Sequence, residues 1–347
     1  MKVSGVLASA PVGSATAVKF MEIDALAAKG VFNLGLHIAE NGYPSPETCT
    51  LKNAVVRQEY STLTRSQKLD FIRAGNFFSW HRYYIWTFEQ MLRDECDYKG
   101  NLPYFNWAHA ADNVDAHPML DGSDTSLGGD GEYIAGRNYS CFPFDDPCLM
   151  KLQPGIGGGC VEKGGLKDFV PNLGPRQDML KLPDGTKPNR NPQADGLGYN
   201  PRCLARDFNP QAAAEATDPL LTGLIRNATD IVTFQTLFQG AFPLGRMRPH
   251  TAGHYMIGGD ASDFYFSPTD PAFFPHHALV DRYWWIWQNQ DIKNRQLAME
   301  GTTQIRGIGP NATLDDAITM GPYTGVANVT IRDAMNTLAG PFCYIYV

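Results

Sequence analysis

The sequence predicts a mainly α-helical protein with a helix bundle at its centre and long irregular loops around it. Two observations predict this class. Apolar residues recur at helical spacing in segments on both sides of the chain's middle, and residues 110 to 210 have no such periodicity and are dense in Gly, Pro, Asp and Asn. The 347 residues, 43% of them hydrophobic, suffice for one large core or two modest ones.

Three helices are predicted before the irregular region. Residues 22 to 40 carry apolar side chains at helical spacing, residues 60 to 74 show a second helical pattern, and residues 77 to 97 form a third helix. The third helix has a stripe of side chains at spacings of three and four, which predicts a face turned toward the core. The stripe consists of Phe78, His81, Ile85, Phe88 and Leu92.

The region from about 110 to 210 is predicted to be a lid that disulfides hold together. A compact domain rarely carries so long a loop unless the loop covers something, and the apolar residues and cysteines in it count against a disordered insertion. We expect the four cysteines of this region to be mostly disulfide-bonded: Cys141, Cys148, Cys160 and Cys203. The chain has seven cysteines, so at least one elsewhere should lack a partner, with Cys49 as the candidate.

Helical patterns resume after the loop region. Asp218 and Pro219 begin the segment "LLTGLIRNA", and "DIVTFQTLFQG" follows it. A short helix is predicted near residues 250 to 256, and a strong one over residues 276 to 290. We find no internal repeat of fixed period.

Composition excludes several classes of function. A net charge of −7, an isoelectric point near 5.6 and the absence of a Lys/Arg run provide no footprint for nucleic acid or an anionic membrane. The sequence contains no run of roughly 18 apolar residues that would predict a transmembrane helix. We expect a soluble globular protein with small neutral or cationic ligands.

Three features predict secretion. The cysteines form no C-x-x-C pair, so disulfides are the simplest interpretation of them. Residues 1 to 20 resemble a signal peptide whose apolar stretch is interrupted by Pro11, which leaves residues 21 to 347 as the folded domain. Four N-x-S/T sequons suit the same route: Asn138, Asn227, Asn311 and Asn328.

Two of the eight histidines stand one helical turn apart. His250 and His254 share a helix face, where two imidazoles can bind one metal ion, although such a pair is more often incidental. In "DPAFFPHHALVD", His277 and Asp281 again share a face, and Asp281 could orient a metal-binding ring by accepting its N–H. The plain alternative is a histidine at a helix start paired with an acid.

Taken together, His250, His254 and His277 form a three-imidazole set without a cysteine or carboxylate, which suits copper or zinc. Two segments resemble the two signatures of the tyrosinase and catechol oxidase family, the type 3 copper proteins: "FFSWHRYYIWTFE" and "DPAFFPHHALVD". The resemblance runs from residue 22 almost to the C-terminus. It is strongest to the short fungal members, which are secreted and lack a C-terminal blocking domain.

The resemblance implies two copper ions in a four-helix bundle, each held by three histidines, with a phenol and O2 as substrates and a monomeric protein. His250, His254 and His277 match the ligands of the second copper. His81 matches the third ligand of the first copper, and His276 matches a non-ligand position. Aromatic neighbours should keep the centre dry: Phe273, Phe274 and Trp284.

The other two ligands of the first copper are missing from the expected place. The family has a histidine five or six residues before the position of Phe77, where this sequence has Phe71 and Ile72, and His37 falls in a segment that resembles an N-terminal helix. Either the protein has lost its first copper site, or the sequence is an incomplete version of an active oxidase. The segment in relatives usually contains a cysteine, which would make the odd seven even and favours the second alternative.

The function implied is the O2-dependent oxidation of o-diphenols to o-quinones, and the chain as given should bind about one copper. Thr251 stands where relatives that hydroxylate monophenols often have an Asn that orients a water, so monophenol hydroxylation should be weak or absent. Two rivals remain. One is a copper-binding protein without catalysis, such as an O2 carrier or an inactive relative, and the other is a zinc hydrolase that uses the same triad and would need a general base.

Overall fold

A computed structural model describes residues 20–59, 79–143, 148–177, 182, 189–240, 245–301, 310–321 and 324–347. The predicted N-terminal segment 1 to 20, apart from Phe20, and the predicted helix over 60 to 74 lie outside the described residues. The segment in which the other two ligands of the first copper were expected also lies outside the described residues, and it includes Phe71, Ile72 and Phe77.

The architecture is mainly α, as the sequence predicts, and the long helices have nearly the predicted bounds. In chain order the helices of the described residues are α1 (Glu22–Asn41), α2 (Ser79–Cys96), α3 (Trp107–Ala110), α4 (Pro210–Ala213), α5 (Asp218–Asn227), α6 (Ile231–Gln239), α7 (Arg248–Ile257), α8 (Phe273–Gln290) and α9 (Ile292–Arg295). Short 3-10 turns occupy Val114–Ala116, Gly259–Ser262, Ser267–Thr269 and Arg332–Met335.

Helix α8 lies at the centre and is buried along nearly its whole length. Helices α1, α2 and α7 pack around it. The close approach of α1 depends on Gly30, because a Cβ there would stand 3.2 Å from the Cβ of Asn289 on α8. On α2, the predicted stripe turns inward where it is described: Ile85, Phe88 and Leu92 are buried and His81 is half-buried, while Phe78 lies outside the described residues. The packing of these helices positions the histidines of the metal centre.

The strands of the described residues are short and lie in four two-stranded sheets. They are β1 (Val55–Arg57), β2 (Gly131–Tyr133), β3 (Ser140–Pro143), β4 (Cys148–Leu152), β5 (Gly158–Val161), β6 (Ala317–Ile318), β7 (Val329–Thr330) and β8 (Tyr344–Tyr346). Strands β1 and β8 pair in parallel, which places Arg57 opposite Tyr346, and the other three pairs, β2 with β5, β3 with β4 and β6 with β7, are antiparallel.

The loop region is held by disulfides, and this prediction is confirmed. Cys141 pairs with Cys148 across the β3–β4 hairpin, and Cys160 pairs with Cys203. The prediction that Cys49 lacks a partner is wrong, because Cys49 bonds to Cys343 next to the β1–β8 pair. The free thiol belongs to Cys96, the last residue of α2. Cys49 and Cys343 are 294 residues apart, so sequence spacing provided no sign of their pairing.

Replacing Cys49 by serine should lower the free energy of unfolding by about 5 kcal/mol, since a cross-link between distant residues restricts the unfolded chain most. The measurement is chemical denaturation of the oxidised protein. Cys96→Ser is the matched control and should leave stability unchanged, because Cys96 forms no disulfide. Equal stability of Cys49→Ser and the parent would show that the bond does not form.

Candidate metal centre

Helix α7 presents two imidazoles on one face. His250 and His254 stand one turn apart, with ring centroids separated by 5.0 Å. Pro249 at the start of the helix suits a position where the backbone needs no donor. The helix ends at Gly258, whose φ of +67° is accessible to glycine and where a Cβ would overlap the backbone of Asp207.

That helix end also fixes the orientation of His254. After Gly258 the chain turns through the 3-10 segment Gly259–Ser262, and the carbonyl of Ala261 comes back to accept a hydrogen bond from Nδ1 of His254 at 2.8 Å. A carbonyl only accepts, so the ring proton of His254 lies on Nδ1 and its Nε2 carries a lone pair. A carbonyl partner of this kind is typical of metal-binding histidines.

Helix α8 brings His277 to that lone pair. The Nε2 atoms of His277 and His254 are 3.1 Å apart. Two ligand nitrogens at the usual metal distance in a tetrahedral site would be about 3.3 Å apart, so the pair fits one ion. The ring of His250 completes the triangle, with its centroid 5.3 Å from that of His277.

His81 and His276 flank this triangle. The ring of His81 on α2 is stacked on that of His277, with centroids 5.0 Å apart and planes 12° from parallel. His276 is 1% exposed, and neither of its nitrogens has a hydrogen-bond partner within the described parts of the chain. One ligand atom from each of His250, His254, His276 and His277 falls within 4.8 Å of the others. His276 thus joins the cluster spatially, although the resemblance places it among the non-ligands.

Burial keeps these imidazoles neutral. Burial lowers the pKa of His254 to about 4. Burial and the neighbouring imidazoles also lower the pKa values of His81, His250, His276 and His277 well below the ordinary range. Neutral imidazole is the form that binds metal, and a set of nitrogen donors without a carboxylate or thiolate suits copper or zinc. The residues present therefore fit the metal that the resemblance implies.

The predicted role of Asp281 needs correction. Instead of a ring N–H, its Oδ1 accepts from Nε of Arg82 at 2.7 Å, and its Oδ2 accepts from the hydroxyls of Tyr344 and Tyr346 at 2.6 and 2.7 Å. Arg82 follows His81 on α2, and Asp281 lies one turn after His277 on α8. The carboxylate thus ties together the helices that carry His81 and His277, and it does not hold a ligand ring.

The three aromatic side chains that were predicted to surround the metal centre lie in different environments. The ring of Phe273 lies 4.1 Å from that of His277, so it shields the centre as expected. Phe274 packs on Phe88 instead, at 4.2 Å, and Trp284 lies under the guanidinium of Arg82 at 4.1 Å. The sequence pattern did not point to Phe238, which is stacked on His250 at 6.2 Å.

Thr251 follows His250 on α7, and its hydroxyl donates to the carbonyl of Gln239 at 2.5 Å. This bond joins the end of α6 to the start of α7. It also directs the hydroxyl proton of Thr251 to the backbone.

A central helix bundle with an imidazole cluster between α2, α7 and α8 defines a metalloprotein of the type 3 copper class. The model of the common central domain of tyrosinase matches residues 51–290, and the chain belongs to the tyrosinase family. It is an oxidoreductase of that family, in which copper is the implied metal and a phenol and O2 are the substrates.

Fungal relatives support this assignment. The chain is 36% identical to the tyrosinase-like protein orsC of Emericella nidulans, over 77% of this chain and 82% of that protein. It is 34% identical to tyrosinase P of Aspergillus terreus, over 87% and 84%. A solved structure of a polyphenol oxidase point mutant from Thermothelomyces thermophila superposes with a TM-score of 0.79 at 30% identity, covering 94% of this chain and 98% of that chain.

Proposed function

We propose that this protein oxidises o-diphenols to o-quinones with O2, so that two catechols are oxidised for each O2 reduced to two waters. The observation that carries the proposal is the cluster of neutral imidazoles, buried or half-buried between α2, α7 and α8, with Nε2 atoms of His254 and His277 at 3.1 Å. Copper, when bound, supplies the redox chemistry that passes electrons from the phenol to O2. His250, His254 and His277 would hold one ion, and His81 would contribute to a second.

The protein's own residues orient and protect that centre. The Ala261 carbonyl fixes the tautomer of His254, so Nε2 is available without loss of a proton. Phe273 covers one side of His277 and excludes water there. Arg82 and Asp281 hold α2 against α8, and thereby hold the ring of His81 on that of His277.

Diphenol oxidation is preferred over monophenol hydroxylation. Hydroxylation needs a group near the copper that helps to remove the phenol's proton. Thr251 is the residue at the expected place, and its hydroxyl is committed to the Gln239 carbonyl. A zinc hydrolase would need a general base, and Asp281, the acid one turn from His277, is occupied by Arg82 and two tyrosines.

Secretion as a monomeric glycoprotein is part of the proposal. Three disulfides suit an oxidising compartment. The asparagines of all four sequons are exposed, as an acceptor site requires: Asn138, Asn227, Asn311 and Asn328. Among the described residues, none of the helices has the length and apolar character to cross a membrane.

The experiment compares the chain as given with a variant that carries the corresponding segment of a fungal relative, with its two histidines, before Phe77. We expect the chain as given to bind about one copper and oxidise catechol slowly, because His81 alone provides too few ligands for a second ion. The extended variant should bind about two and oxidise catechol rapidly. Copper analysis and quinone absorbance are the measurements. Two coppers and rapid oxidation in the chain as given would contradict the incomplete first site, and an inactive variant with two coppers would favour binding without catalysis.

A further inference from the structure

A second group of potential metal ligands lies outside the copper cluster. Glu59, His109 and His117 each place one ligand atom within 4.8 Å of the other two. They come from three segments: Glu59 follows β1, His109 belongs to α3, and His117 follows the 3-10 turn Val114–Ala116. The group shares no residue with the copper cluster.

The environment of this group is dry and contains one acid. Glu59 and His117 are 4% and 2% exposed, and His109 is half-buried. The ring of Phe105 covers His117, with centroids 4.7 Å apart. A carboxylate so deeply buried needs positive charge or donors nearby. Two imidazoles and one carboxylate form a ligand set found in zinc sites that keep a fourth position open.

The hydrogen bonds define the ligand atoms. Nε2 of His117 is 3.1 Å from Oε1 of Glu59, and Nδ1 of His117 accepts from the backbone N–H of Met119 at 3.2 Å. Without an ion, the proton of His117 therefore lies on Nε2 and is donated to Glu59. An ion that replaced this proton would lie between the same two atoms, and the hydrogen bond from Met119 would break as the proton moved to Nδ1.

Nε2 of His109 carries a lone pair, which faces Asn106 in the absence of an ion. The Oδ1 atom of Asn106 accepts from the N–H of Ala108, so the NH2 group of Asn106 is the part that faces Nε2 of His109, at 3.4 Å. This makes Nε2 of His109 an acceptor, which is the state that binds metal.

We propose that Glu59, His109 and His117 form a second metal site, which takes a borderline divalent ion such as Zn2+. The ion binds the carboxylate and the two rings and draws the three ligand atoms together to about the 3.3 Å spacing of a tetrahedral site. The ion links the end of β1 to α3 and to the loop between α3 and β2. No electron transfer is involved, because Zn2+ has a single oxidation state in proteins.

The test is the amount of Zn2+ that the full chain retains in equilibrium dialysis after removal of metals by a chelator. The set of imidazoles in the copper cluster also suits Zn2+, so the comparison uses the parent, His109→Ala, His254→Ala and the double variant. His109→Ala and His254→Ala should each lose about one Zn2+ per chain, and the double variant about two. His37→Ala, a half-buried histidine on α1 outside both ligand groups, is the control and should lose none.

Measurement of the melting temperature tests the site when a variant binds Zn2+ too weakly to retain it in dialysis. In the His254→Ala background, Zn2+ should raise the melting temperature, and this rise should vanish in the double variant. Equal Zn2+ retention and an equal rise with and without His109 would overturn the second site and leave a simple hydrogen bond between His117 and Glu59. Loss of metal in His109→Ala but not in His254→Ala would support this site and count against the copper-cluster assignment.

Discussion

Replacing His254 by alanine is expected to remove the copper ion from the centre formed by His250, His254 and His277. The side chain provides a lone pair on Nε2, oriented by the Ala261 carbonyl and 3.1 Å from Nε2 of His277. Loss of one of three ligands should reduce bound copper by about one per chain. In the variant with the restored segment, catechol oxidation should fall at least about 100-fold, since even loss of an outer partner of a ligand costs 10- to 100-fold.

Copper analysis after dialysis measures the first effect, and quinone absorbance measures the second. His37→Ala is the matched control, because that ring is half-buried, pairs with Asn41 on α1 and lies outside the imidazole cluster. The control should keep both copper and activity. If His254→Ala keeps its copper, the ion is held elsewhere, and the assignment of the centre to α7 and α8 is wrong.

Replacing Asp281 by alanine should destabilise the fold by about 3 to 5 kcal/mol. Removal of the carboxylate leaves the guanidinium of Arg82 buried without its ion pair, and such a loss costs more than the pair itself contributes. Tyr344 and Tyr346 lose their acceptor as well. Burial and the charge of Asp281 raise the pKa values of both phenols, so they remain neutral donors.

Two variants set the scale for that measurement. Asp281→Asn keeps the shape and one acceptor and should cost less than the alanine variant. Asp315→Ala removes a partner from the exposed pair with Arg332 and should leave the denaturation midpoint unchanged, because exposed ion pairs contribute little. The copper content of Asp281→Ala should fall too if α2 shifts relative to α8. A stability equal to the parent would show that the carboxylate is not the link between these helices.

Local patterns predicted the helical frame well. The spacing of apolar residues predicted α1, α2, α7 and α8, and the i, i+4 histidines on α7 were predicted to share a face. The stripe on α2 correctly predicted that Ile85, Phe88 and Leu92 are buried. These predictions succeed because helical periodicity is a property of neighbouring residues.

Contacts between segments that lie far apart in the sequence could not be predicted from local patterns. The tyrosines that occupy Asp281 come from β8, 63 and 65 residues further along the chain. The partner of Cys49 is 294 residues away. In the second ligand group, Glu59 lies close to His109 of α3 and to His117 of the loop that follows α3. A shared helix face indicates that Asp281 and His277 are neighbours, but it does not reveal which of several buried donors the carboxylate binds.

The most direct test of the copper centre is anomalous X-ray diffraction at the copper edge from crystals of the copper-loaded protein. We expect a peak about 2.0–2.1 Å from one nitrogen of each of His250, His254 and His277. Rings that turn away from a common point, with no peak among them, would contradict the account. A peak held only by Glu59, His109 and His117 would contradict it as well, because the proposed oxidation depends on the imidazole cluster between α2, α7 and α8.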